Sequence, residues 1–93
     1  MNKYLPIGTV LLLKGGKKKV MIIGYFPEGV QEGKKVSCDY LGCLFPEGVL
    51  DFEKGLAFNN EQIDKVYFLG FADDEYIAFF SEFNKLLQEK KDV

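Results

Sequence analysis

The residues of this chain that could do chemistry are few and fall into short groups. Cys38 stands between Ser37 and Asp39, five residues before Cys43, and would offer a thiol beside a hydroxyl and a carboxylate. Lys17, Lys18 and Lys19 follow the pair Gly15-Gly16, an arrangement that could hold a phosphate. Asp73, Asp74 and Glu75 form an acidic run, and Glu28 and Glu47 each sit in a Phe-Pro-Glu-Gly tetrapeptide.

Each group also has a plainer reading. The chain contains no His, no Arg and no Trp. Without His there is no Ser/His or Cys/His nucleophile pair, no imidazole base and no imidazole metal ligand. Most small-enzyme chemistries are thereby excluded, and no cofactor or metal site is expected. Gly15-Gly16-Lys17-Lys18 lacks the upstream glycine spacing and the following Ser or Thr of a phosphate-binding loop, and it leads into a strand. With Tyr25 and Phe26 nearby, the lysines have the makings of a single-strand nucleic-acid surface. The acidic pI of about 5.1 and the missing arginines favour a solvated hairpin tip instead. Cys38 and Cys43 on one strand, at ~3.3 Å per residue, lie beyond disulfide reach and read as packed free thiols. Such thiols suit a reducing compartment. Asp73 to Glu75 suit the start of a helix, and Glu28 and Glu47 become a pair only if their two turns meet.

The elements that position these residues belong to one domain, residues 1–93, because a chain of this length builds a single core. Apolar residues make up 47% and aromatics 15%, with nine Phe and five Tyr, so a Phe-rich core is expected. Lysines interrupt the N-terminal hydrophobic stretch before it reaches the ~18 residues of a membrane span, and the first residues lack the apolar run and cleavage site of a signal peptide. A cytoplasmic location is expected. Residues 1–35 carry seven Lys against two Glu, whereas residues 36–93 carry five Lys against twelve acids. That asymmetry orients a partner if it is polarised on the surface, and otherwise only solvates the fold.

The chain reads as β-rich over 5–71. Two apolar runs, Thr9 to Leu13 and Val20 to Ile23, flank Lys-Gly-Gly-Lys and predict a hairpin closed by a two-residue Gly15-Gly16 turn, with Lys14 opposite Lys17. The first strand is apolar on both faces, which predicts cover on both sides or a central place in the sheet. The second strand ends at Phe26-Pro27-Glu28-Gly29, a type I turn by composition, with a loop from Val30 to Lys34. A third strand, Lys35 to Phe45, alternates Val36, Cys38, Tyr40 against Ser37, Asp39, Leu41 and closes on Phe45-Pro46-Glu47-Gly48. Residues 51–58 read as an irregular connection. Asn59 caps one helical turn anchored by Ile63, and a fourth strand covers Lys65 to Phe71. A helix follows over 74–90, with Tyr76, Phe79, Phe80, Phe83, Leu86 and Leu87 as its apolar stripe and Glu82, Lys85, Gln88 and Glu89 off it. The expected class is α+β: a small antiparallel, strongly twisted sheet or SH3-like partial barrel with the C-terminal helix packed on it, a flatter sheet being the alternative.

Several blocks resemble a known family. They are Leu5-Pro6-Ile7-Gly8-Thr9-Val10 with Leu12-Leu13-Lys14-Gly15-Gly16 and Met21-Ile22-Ile23-Gly24, then Asp39-Tyr40-Leu41-Gly42-Cys43 leading to Pro46-Glu47-Gly48, then Phe58-Asn59 and Ile63-Asp64-Lys65-Val66. In order and spacing they resemble the domain of unknown function 4176 family over nearly the whole chain. Members are small cytoplasmic proteins of Gram-positive bacteria, often encoded near type VII secretion systems and their LXG-type toxins. The resemblance implies an accessory role beside secretion and carries over no catalytic residues. The expected function is a non-enzymatic protein-binding module, an adaptor or export chaperone for a type VII substrate, with contact through Tyr40, Phe45, Pro46 and Glu47. The alternatives are an immunity-like inhibitor of a toxin domain and, less favoured, a single-strand nucleic-acid-binding barrel. The partner expected is another protein, a toxin or its small helical companions.

Overall fold

A computed structural model describes residues 4–53 and 55–91, apart from the side chains of Val30, Gln31 and residues 87–91. Among the described residues seven strands precede one helix: β1 (Val10–Leu13), β2 (Val20–Tyr25), β3 (Glu28–Gln31), β4 (Lys34–Ser37), β5 (Tyr40–Leu44), β6 (Leu56–Phe58) and β7 (Ile63–Phe68), then α1 (Asp74–Lys91), with a 3-10 turn at Asn60–Gln62 before β7. Five strands form an antiparallel sheet in the order β6-β5-β2-β1-β7, and β3 and β4 form a second, two-stranded sheet. The α+β class is as expected, and the sheet is open, with β6 and β7 as its edges.

The first hairpin keeps the expected register but not the expected closure. Val10 pairs with Met21 and Leu11 with Val20, the alignment that would set Lys14 opposite Lys17. The ladder with β2 stops at Leu11, while β1 stays paired with β7 as far as Leu13. The chain turns instead over Leu13 to Gly16, closed by the Gly16 amide donating to the Leu13 carbonyl at 2.9 Å. Gly15 carries the positive φ of 77°.

The turn expected at Phe26-Pro27-Glu28-Gly29 is part of a longer hairpin. β2 pairs with β5 and β3 with β4 in one continuous alignment, from Val20 opposite Leu44 to Gln31 opposite Lys34. Between the two ladders, Phe26 N–H donates to the Asp39 carbonyl at 3.1 Å and Cys38 N–H to the Pro27 carbonyl at 3.3 Å. Pro27 thus supplies the only backbone group the pairing needs from it, a carbonyl. The real turn is Glu32-Gly33, both at positive φ, as a two-residue hairpin loop requires. The long third strand of the sequence reading is accordingly two, broken at Cys38-Asp39, so Cys38 and Cys43 occupy no common strand. Both thiols are free. The connection over 51–58 contains a strand after all, β6, paired with β5.

A bulge at Ile23 sets the phase of β2. Ile22 pairs with Gly42 but Gly24 with Leu41, so one extra residue enters and Tyr25 falls on the same face as Ile22. That helix face carries the core: Leu11, Val20, Ile22, Tyr40 and Phe58, together with Tyr4 and Phe80 of α1. Gly42 is required there, since a Cβ would stand 2.8 Å from both Phe58 and Val20. Phe80 stacks on Tyr4 and meets Tyr25 edge-on at 4.8 Å. The expected cap of α1 forms, with Tyr76 N–H donating to Asp73 Oδ1 at 3.0 Å. The apolar stripe is core only in part: Phe80 is buried, Tyr76 and Phe83 are half-buried, and Phe79 and Leu86 are exposed. The helix rests on a narrow platform of aromatic rings, which covers one line of its side chains. The Leu87, Gln88 and Glu89 side chains of the expected pattern lie outside the described residues, as do residues 1–3.

Buried polar groups tie the lead-in segment down. Tyr40 hydroxyl accepts from Leu5 N–H at 2.9 Å and donates to Asn60 Oδ1 at 2.5 Å. Tyr25 hydroxyl donates to the Leu5 carbonyl at 2.5 Å, and Tyr76 hydroxyl donates to the Tyr4 carbonyl. Burial pushes both the Tyr25 and the Tyr40 phenols above the ordinary tyrosine range.

Candidate docking surface

Residues directly opposite each other in an antiparallel ladder point to the same face. Val10 opposes Met21, and Met21 opposes Cys43, so these three make a row across the sheet on the face turned away from α1. Ile23, Leu41, Tyr67 and Phe68 join it through the same alternation and the register shifts of β2 and β7. This second face is apolar, as the sequence of the first strand requires; Val10 and Cys43 are buried in it, but among the described residues no helix covers it. Its partial roof is the turn at Phe45 and the segment 48–52.

Two grooves of about 400 Å³ each lie on this face. One, at the β5 side, is bounded by Ile23, Leu41, Cys43, Val49, Leu50 and Phe52. The other, at the β1 and β7 side, is bounded by Val10, Met21, Phe45, Tyr67, Phe68 and Lys19. Large apolar side chains rim both: Leu50 is 83% exposed, Phe52 97% and Phe68 62%. Exposed apolar side chains gathered at the rims of grooves are a mark of docking surfaces.

Charge is arranged at the rims. Lys19 and Lys65 place their ammonium groups 5.1 and 5.0 Å from the centre of the Tyr67 ring, where the ring quadrupole attracts a cation. Neither is ion-paired among the described residues. Lys18 reaches Glu47 at 2.7 Å, and its hydrogen bond holds the Glu47 carboxyl below the usual glutamate range. The lysine run is therefore not one cationic patch. Lys18 is paired, and Lys19 lies on an aromatic ring.

Of the four residues expected to make contact, three lie together. Phe45, Pro46 and Glu47 form the exposed turn after β5, and Phe45 walls the second groove. Tyr40 lies at the opposite end of β5, is fully buried, and spends its hydroxyl on Leu5 and Asn60. It is a core residue, not part of this surface. The other tetrapeptide, at Phe26, does not form a matching loop, because Glu28 and Gly29 are strand residues.

The remaining groups are accounted for structurally. Asp39 Oδ2 accepts from Asn60 N–H, and Asn59 Oδ1 accepts from Asp39 N–H, each at 2.9 Å, which locks β5 to the 3-10 turn. Among the described residues, no group of three or more His, Cys, Asp and Glu is placed to hold a metal ion, and no helix is long and apolar enough to cross a membrane. Sequence reasoning missed Met21, Tyr67, Phe68 and Phe52. The available signal was the first strand's apolar character on both faces, which demanded two covers while the chain offers only one helix.

No curated protein and no solved structure matches the chain. A family model described as a domain of unknown function (DUF4176) matches residues 4–79. That span takes in the sheet, the roof segment and the first turns of α1, and the chain belongs to the DUF4176 family.

Proposed function

We propose that the protein is a non-enzymatic, cytoplasmic binding module, an adaptor or export chaperone for an LXG-type substrate of type VII secretion, and that it docks through the sheet face opposite α1. The observation that carries this reading is the apolar face opposite α1, roofed only in part, with its two grooves and its rim of exposed Leu50, Phe52 and Phe68. A partner that supplies the missing second layer would bury these side chains as a second helix layer does in an α+β domain. Hydrophobic grooves of this kind accept the apolar stripe of a helix, which is the chemistry of a helical secretion substrate. The secretion setting comes from the family resemblance alone.

The test is co-expression of the protein with an LXG-type toxin divided into its N-terminal helical region and its C-terminal toxin domain, followed by size-exclusion chromatography. Co-elution with the N-terminal region is the expected result. Co-elution with the toxin domain alone would replace the adaptor reading by an immunity-like one.

A further inference from the structure

The open face carries a knob and a matching hole. The knob is Phe52, whose side chain is almost wholly in water. It is held at the apex of a turn in which Glu53 N–H donates to Asp51 Oδ1 at 2.9 Å. Carboxylates therefore flank the ring on both sides in sequence. The hole is the groove between Phe45 and Tyr67, with room of about 400 Å³ and Lys19 in its lining, and the ammonium groups of Lys19 and Lys65 both lie over the Tyr67 ring. An acid-flanked aromatic is the side chain such a groove would select.

Knob and hole sit toward opposite ends of one face, on either side of the Met21–Cys43 pair. We propose that the occupant of this face in the free protein is a second copy of the chain, related by a two-fold axis, with Phe52 of each copy in the Phe45–Tyr67 groove of the other and Asp51 and Glu53 against Lys19 and Lys65. The arrangement makes the same contact twice and closes on itself, so it yields a dimer and not a filament. Pairing through the β7 edge is disfavoured by the two register shifts of that strand, a common protection of sheet edges. The inference rests on reading this face as a docking surface, and it names what docks.

The experiment is sedimentation equilibrium of the full chain from about 1 μM to about 1 mM. The expected mass rises with concentration to twice that of the 10.6 kDa chain. Phe52→Ser, which keeps its far-UV circular dichroism spectrum because the ring is 97% exposed and outside the core, weakens the dimer by about 30-fold. Lys65→Glu also weakens it, and adding Glu53→Lys to Lys65→Glu restores part of the loss. A wild-type protein of single-chain mass throughout, or a dimer unchanged by Phe52→Ser, overturns the proposal. If the wild type is monomeric and Phe45→Ser still abolishes co-elution with the toxin region, self-pairing fails while the docking surface stands. If it is monomeric and Phe45→Ser has no effect, both fail.

Discussion

The rings of Phe26 and Phe83 lie stacked, with centroids 4.7 Å apart and planes 7° from parallel. Phe26 sits at positive φ where the long hairpin kinks, a conformation that costs a non-glycine residue of order 1–3 kcal/mol. Its contacts with Phe83 and with Tyr4, 5.0 Å away edge-on, supply the packing that holds it there. This join fixes α1 to the helix face and leaves the other face open.

Phe83→Ala is expected to cost about 3 kcal/mol and Phe80→Ala up to about 5, because the second ring is fully buried and the first only in part. Urea unfolding monitored by circular dichroism reads both. Equal and negligible losses would place α1 off the core.

Tyr40→Phe removes the acceptor of Leu5 N–H and the donor to Asn60 Oδ1. Leaving the Leu5 N–H unsatisfied costs about 1–3 kcal/mol. The expected result is a lowered melting temperature with no effect on partner binding. A binding defect in a variant of unchanged stability would return Tyr40 to the docking surface.

Gly15→Val is expected to destabilise by more than about 1 kcal/mol, because a β-branched residue resists the φ of 77° found there. Gly16→Ala is milder, since Gly16 is not among the glycines at positive φ and its Cβ meets only one tight contact, the Leu13 carbonyl oxygen at 3.2 Å. The reverse order in chemical melts would restore the two-residue Gly-Gly turn.

The raised phenol of Tyr25 makes stability fall in alkali. A group whose pKa is higher folded than unfolded keeps its contribution below the unfolded value, here 10.0, and loses it as pH rises beyond that. Unfolding free energy of the wild type should therefore drop above about pH 10 more steeply than that of Tyr25→Phe. Parallel curves would contradict the buried phenol.

How much of this was legible in the sequence depends on the element. The α+β class, the Asp73 cap and the register of the first hairpin followed from local signals that tertiary packing did not override. Pro27 and Gly29 misled because turn composition also suits a kinked ladder that needs only a carbonyl from Pro27. β6 is three residues long and carries too little alternation to read. The docking face was half legible. Val10 and Leu12 announced a second apolar side, but Phe52 and the Lys19–Tyr67–Lys65 cluster come together only through the order of the strands. Tyr40 was mistaken for a contact residue because an aromatic near a turn looks the same in sequence whether it points into the core or into water.

The central claim is that the protein docks by the sheet face opposite α1. The most direct measurement compares wild type, Phe68→Ser and Phe79→Ser for co-elution with the N-terminal region of an LXG-type toxin. The two phenylalanines are similarly exposed, at 62% and 52%, one on the open sheet face and one on the helix, so both variants should fold. The account predicts that wild type and Phe79→Ser co-elute with the toxin region while Phe68→Ser elutes alone. Loss of the complex in Phe79→Ser with retention in Phe68→Ser would contradict it and move the docking surface to the helix.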